Sequence, residues 1–193
     1  MKKIKIPVEV SARHAHISQE DFYKLFKKNN LTPLKDLGQN QFAAKETIDL
    51  ICGKRSLKNI RIVGPFREAT QIEISITDSF SLGLGPCLSL GLPEESLENT
   101  FGGEIVGAKG KLKLKYGIFN DYRHLHISSK TAKKLNLKQG QKVKVEIKGK
   151  RGLIFDNVYI TIGEKYNTSL HLDTDEGNAC GITKSGEGYL IIN

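Results

Sequence analysis

Four of the five histidines in this 193-residue chain fall into two His-x-His pairs, His14 with His16 and His124 with His126. Residues two apart on an extended strand project to the same face, with Cβ atoms roughly 6–7 Å apart. Two imidazoles so placed converge on one metal ion, whereas on a helix the same spacing turns them about 200° apart. The flanks match as well: Ser11-Ala-Arg-His-Ala-His-Ile-Ser18 recurs 110 residues later as Asp121-Tyr-Arg-His-Leu-His-Ile-Ser128. A lone pair reads more readily as two half-exposed surface histidines. A repeated pair that uses almost the whole histidine inventory points to metal, and imidazole with a carboxylate suits zinc best, with iron, nickel or cobalt as substitutes.

The fifth histidine lies in Leu170-His-Leu-Asp-Thr-Asp-Glu-Gly-Asn178. Asp173, Asp175 and Glu176 beside it are candidates to ligate metal, to act as a base, or to orient the His171 ring. Arg13 and Arg123 each precede a histidine pair and alternate to the opposite face, so they are expected to brace the fold or pair with a carboxylate. Arg61 and Arg67 lie in Asn59-Ile-Arg-Ile-Val-Gly-Pro-Phe-Arg-Glu-Ala-Thr-Gln-Ile-Glu73, a strand running through a Gly-Pro turn into another strand. Such arginines suit bidentate capture of phosphate and are equally compatible with a solvated surface. No GxSxG elbow, P-loop or GxGxxG followed by a helix is present. Gly107-Ala-Lys-Gly110 reads as a hairpin loop.

The elements that must position these side chains are mostly strands. Ile4–Val10, Ile60–Val63, Gln71–Ile76, Lys142–Ile147 and Asn157–Ile162 are rich in Ile and Val with period-two patterning. Two stretches look helical, Ser18–Lys28 and Ser128–Leu135, each opening on a serine that caps the first turn. Short strands with few helices predict a mainly β chain built as barrels rather than a doubly wound sheet. The repeated strand–RHxHIS–helix unit predicts two related domains.

Composition narrows the class. Apolar residues are 38 % and charged residues 26 %, a globular balance. No apolar run approaches the ~18 residues of a membrane span, and the first residues lack a signal-peptide core, so a cytoplasmic protein is expected. Cys52, Cys87 and Cys180 show no CxxC spacing and predict reduced thiols, with Cys180 as a packed small residue. The net charge of +9 fits an anionic partner or simply solubility, and alone it decides neither. Nucleic acid is disfavoured by 7 % aromatics and no Trp, which leave no base-stacking platform. A polyphosphorylated cofactor such as coenzyme A fits better.

Along nearly its whole length the chain resembles the PduL-type phosphate acyltransferases, the phosphate propanoyltransferases. The matching blocks are Val10–His16, Lys35–Gln39 with Gln41–Ala43, Val63–Arg67, Thr70–Ser75, Arg123–His126, Gly149–Val158 and His171–Asn178. The resemblance implies two β-barrels with short α-helical caps and interleaved segments, residues 1–12 and 122–193 forming one and 13–121 the other, with the active site between them. It implies two zinc ions per chain, one on His14, His16 and Glu73 and one on His124, His126 and His171. It also implies a phosphate contact for Arg67 and places Lys35, Arg61 and Asn178 near coenzyme A or the reacting groups. The expected reaction is acyl-CoA plus phosphate to acyl phosphate plus coenzyme A, by direct transfer, in a chain compatible with a homo-oligomer. One departure stands out: where the family carries a Pro-Val-Arg-x-Ser-Gly-Asp-like segment, Gly85–Glu95 reads Gly-Pro-Cys-Leu-Ser-Leu-Gly-Leu-Pro-Glu-Glu, without an arginine.

Three other readings compete: a metallohydrolase of thioesters or phosphoesters, a basic barrel that binds nucleic acid around structural zinc, and a regulator that binds acyl-CoA with slow turnover. Structural zinc normally takes four protein ligands, often cysteines, which weighs against the second.

Overall fold

The computed structural model describes residues 2–38, 40–89 and 97–192. The strands are β1 (Lys2–Val10), β2 (His14–His16), β3 (Pro33–Gly38), β4 (Gln41–Cys52), β5 (Arg55–Gly64), β6 (Gln71–Glu73), β7 (Leu88–Ser89), β8 (Phe101–Val106), β9 (Lys111–Asp121), β10 (His124–Ser128), β11 (Lys142–Ile147), β12 (Leu153–Gly163), β13 (Ser169–Leu172) and β14 (Ser185–Ile192). The α-helices are α1 (Gln19–Phe26), α2 (Ile76–Leu82), α3 (Ser129–Leu135) and α4 (Thr174–Cys180). Of the segment that departs from the family pattern, Leu90–Glu95 lies outside the described residues.

The chain divides into two compact units, residues 1–12 with 122–193 and residues 13–121. The first, the split barrel, closes in the order β1-β13-β10-β12-β11-β14. In the second, the central barrel, the pairings β4–β5, β5–β2, β2–β6, β6–β9, β9–β8 and β8–β4 close a ring of the same size. The two rings correspond strand for strand. Each histidine-pair strand has a parallel neighbour on one side (β5, β12) and an antiparallel one on the other (β6, β13). Beyond that, β6 runs parallel to β9 as β13 runs parallel to β1. Since β1 leads into β2 and β9 into β10, each repeat contributes its first strand to the ring of the other. That exchange is why the first unit is split in sequence.

Alternation drives both rings. In β11, Val143, Val145 and Ile147 are buried while Lys142 and Lys144 are exposed. Burying each such side chain contributes roughly 1.5–3 kcal/mol. The residues between the paired histidines, Ala15 and Leu125, are fully buried in the two cores, so the imidazoles leave the outer face of the wall. A bulge recurs too: β4–β5 and β11–β12 each shift register once beside Asn59 (φ 57°) and Asn157 (φ 53°), a left-handed backbone that Asn tolerates.

Both expected helices form, with Ser18 accepting from the amide of Asp21 and Ser128 from that of Thr131, each at 3.2 Å. Two more helices were not legible as periodicity. The strand expected over Gln71–Ile76 stops at Glu73, because Ser75 and Asp78 close a capping box that starts α2; Asp173 and Glu176 do the same for α4. Gly107 and Gly110 pair across the expected hairpin loop, at 2.9 Å. Among the described residues, no helix is long and apolar enough to cross a membrane.

Candidate metal centres

In the central barrel, His14 on β2 lies in register between Glu73 on β6 and Arg61 on β5. The Glu73 carboxylate spans both imidazoles: Oε2 is 3.2 Å from His14 Nε2 and Oε1 is 3.6 Å from His16 Nε2. Ligands about 2.1 Å from a tetrahedral ion stand roughly 3.4 Å apart, so these groups have the spacing of a ligand set. His16 Nδ1 lies 3.1 Å from the Val63 carbonyl, where it donates and leaves the Nε2 lone pair for the ligand bond. Burial pulls the His16 imidazole down to about 3, with Glu73 opposing the shift. The ring is therefore neutral at neutral pH, the form in which it binds metal.

Arg67 follows in the turn between β5 and β6. Its amide donates to the Ile17 carbonyl at 3.0 Å and its guanidinium donates to the Gln71 side chain. Gln71 is the register partner of His16. Arg67 borders a hollow of about 190 Å³ with His16, Asn40, Gln41, Gly64 and Pro65. An arginine fork thus opens beside one imidazole of the trio. Arg61 is tied to β4, donating to the carbonyls of Ala44 and Lys45 at 2.9 and 2.8 Å. Lys35 on β3 and Asn178 on α4 are exposed, and neither belongs to a histidine group.

The split barrel repeats the frame with different contents. His171 on β13 occupies the register position opposite His124 that Glu73 holds opposite His14. Ring centroids are 4.7 Å apart for His124 and His126, 5.0 Å for His124 and His171, and 4.2 Å for His126 and His171. In each trio one ligand atom per residue lies within 4.8 Å of the others. Three half-buried imidazole groups suit zinc or another borderline transition metal. His124 Nδ1 faces the Tyr122 carbonyl at 2.9 Å, to which it donates.

Three neighbours of this trio escaped the sequence reading. The Tyr166 ring stacks on His126 at 4.1 Å and 19°. It fits because residue 163 is glycine, where a Cβ would stand 2.8 Å from that ring. Ser169 Oγ lies 2.8 Å from His171 Nε2, and Glu9 Oε2 lies 3.9 Å from the same nitrogen. Strand alternation from His171 could have marked Ser169. Nothing local marks Glu9, whose strand pairs with β13 across most of the chain.

The arginines that precede the pairs find carboxylates, as expected. Arg13 Nη2 is 3.1 Å from Asp78 Oδ1, and Arg123 Nε donates to Glu176 Oε1 at 2.6 Å. Both acids hold the third position of a capping box, so each arginine ties the start of a histidine strand to the head of a helix. Asp173 and Glu176 are therefore committed to α4 rather than to the His171 ring. Burial pushes the Glu176 carboxyl up and Arg123 pulls it back. The far helix ends are held alike: Arg55 donates to the Phe80 carbonyl and Arg151 to that of Ala179, both at 3.1 Å. Cys180 is buried in the split-barrel core, as expected.

Comparison with known proteins places this arrangement in a family. The model of the phosphate propanoyltransferase family matches residues 7–183. The chain is 41 % identical to a phosphate propanoyltransferase of Clostridioides difficile, over 98 % of this chain and 90 % of the relative. It is 40 % identical to one from Thermotoga maritima, over 96 % and 89 %. A third, from Escherichia fergusonii, is 36 % identical over 100 % and 91 %.

Proposed function

The chain belongs to the phosphate propanoyltransferase family, and on that premise we propose that it moves a short acyl group, acetyl or propanoyl, reversibly between coenzyme A and inorganic phosphate. The observation that carries the reading is the Arg67 fork opening onto a hollow it shares with His16. A guanidinium fixes two phosphate oxygens and leaves a third directed outward to attack a thioester carbonyl. The transfer is direct, and no protein nucleophile is invoked.

His14, His16 and Glu73 would hold one zinc ion, and His124, His126 and His171 a second. An ion at such a site supplies Lewis-acid charge for a polarised carbonyl or phosphoryl oxygen. The protein's own part is positional. Gln71 holds the Arg67 fork, the Val63 and Tyr122 carbonyls fix two imidazole tautomers, and the neutral His16 ring keeps its lone pair. Holding two reactants in attack geometry can itself supply roughly 7–11 kcal/mol. We assign Lys35, Arg61 and Asn178 to coenzyme A and the reacting groups, a role that suits the chain's +9 charge.

The test is coenzyme A release from acetyl-, propanoyl- and butanoyl-CoA, with and without phosphate. A transferase releases thiol only when phosphate is present, whereas a hydrolase ignores it. Arg67→Ala should raise the phosphate KM and lower turnover together by about ten- to two-hundredfold, the worth of one charge-assisted contact. Arg67→Lys should recover only part, since a point charge lacks the planar grip. Phosphate-independent release, or an unchanged phosphate dependence in Arg67→Ala, contradicts the proposal.

A further inference from the structure

Glu9 stands on β1 in register with His171 on the parallel strand β13, so the two side chains leave the same face of the wall. Its Oε2 is 3.9 Å from His171 Nε2, and Ser169 Oγ is 2.8 Å from that nitrogen. Two oxygens therefore gather on one edge of this ring. His16 and His124 are arranged the other way round, with Nδ1 against a backbone carbonyl. The register equivalent of Glu9 in the central barrel, opposite Glu73, is Phe119. A carboxylate thus stands behind the third ligand only in the ring where that ligand is histidine.

We propose that Glu9 is a positioning residue of the three-histidine centre: together with Ser169 it orients the His171 ring from its Nε2 edge. The Ser169 hydroxyl is the hydrogen-bond partner of this nitrogen, while the Glu9 carboxylate, beyond hydrogen-bond distance, acts on the ring through its charge. An acceptor on the distal nitrogen fixes the tautomer, orients the ring and raises its basicity as a ligand. Removing such a partner typically weakens metal binding ten- to a hundredfold. Glu9 is half exposed and 3.9 Å away, which puts the effect near tenfold, the low end of that range. The inference rests on the reading that both trios hold metal.

The experiment is a zinc titration of the metal-free full chain against a competing chelator, for wild type, Glu9→Gln and Glu9→Asp. Wild type should show two binding steps. Glu9→Gln should weaken one of them about tenfold and leave the other step and the melting temperature of the metal-free protein unchanged. Glu9→Asp should recover part of the loss. In a Glu73→Ala background, where the central-barrel centre is disabled, the remaining step should carry the whole effect. Two unchanged steps in Glu9→Gln, or two weakened alike, overturn the assignment of Glu9 alone. A wild-type chain that takes up no zinc overturns the metal reading beneath it.

Discussion

The two histidine walls share one frame and differ in what they hang on it. Residues 60–83 of the central barrel map onto 158–181 of the split barrel at a constant offset, fixed by the Ile62–Ile160 and Gln71–Ser169 register equivalents. At that offset Glu73 becomes His171, Arg61 becomes Tyr159, Arg67 becomes Lys165 and Glu68 becomes Tyr166. The features both barrels share are those that build the wall: an inward apolar residue between the histidines, the left-handed Asn at the bulge, and an arginine on a capping-box acid. Of the changed positions, Glu73 and His171 stand in register with the first histidine of each pair, and Tyr166 stacks on His126. The frame thus repeats a pair of imidazoles at fixed spacing, and the flanks decide what each pair does. The central wall sets the Glu73 carboxylate across its two imidazoles and the Arg67 guanidinium beside His16, an arginine fork that suits an anion. The split wall carries a third imidazole, an aromatic lid on His126 and a carboxylate behind His171.

The strongest way to break this comparison is to remove one ligand from each wall in turn. If both trios hold catalytic ions, His14→Ala and His171→Ala should each lower turnover by about a thousandfold or more, the several kcal/mol expected for one Lewis-acid site. Each variant should also lose one of two bound ions by elemental analysis. A wall whose variant keeps wild-type turnover is not part of the active site.

The supporting arginines sharpen the same comparison. Arg123 donates to Glu176 at 2.6 Å and to the Asp156 carbonyl at 3.2 Å and lies over the Phe155 ring, whereas Arg13 meets Asp78 alone at 3.1 Å among the contacts described, with both carboxylates largely buried. Urea unfolding should show a loss of about 2 kcal/mol for Arg123→Ala and about 1 kcal/mol for Arg13→Ala. Arg13→Lys should act mainly on stability and leave turnover near that of wild type. Equal losses would mean that the two braces do not differ as their contacts imply.

A gentler probe is pH. The folded-state pKa of His16 lies near 3, held down first by burial, against ~6.5 in the unfolded chain. The unfolded state therefore takes up the proton first as pH falls. The stabilising effect of a neutral His16 is fully present above pH ~6.5 and is lost toward pH 3, at up to about 1.4 kcal/mol per pH unit. Metal-free wild type unfolded in urea at pH 7, 6, 5 and 4 should show this slope, and His16→Gln should flatten it by about one proton. A variant with the wild-type slope would assign the acid lability to other groups.

Much of this frame was legible in the sequence, and for a physical reason. Alternation and the histidine spacing are local, so β1, β5, β11 and β12, the outward imidazoles and the serine-capped α1 and α3 could be read directly. The helices α2 and α4 are seven residues each, too short to show a period. Their local signals were the Ser75-x-x-Asp78 and Asp173-x-x-Glu176 boxes, and in the second case those acids read as metal ligands, a base or partners of the His171 ring. Contacts set by pairing across the chain left no local trace. Glu9 behind His171, Tyr166 on His126 and Gln71 under Arg67 all depend on which strands or turns become neighbours, and the exchange of β1 and β9 breaks the link between closeness in sequence and closeness in the ring.

The most direct test of the central claim is to strip the protein of metal and return zinc in known amounts while following phosphate-dependent release of coenzyme A from acetyl- and propanoyl-CoA. The account predicts an inert metal-free protein whose activity returns only as both trios fill, reaching its maximum near two ions per chain. Full phosphate-dependent turnover in the metal-free chain would contradict it.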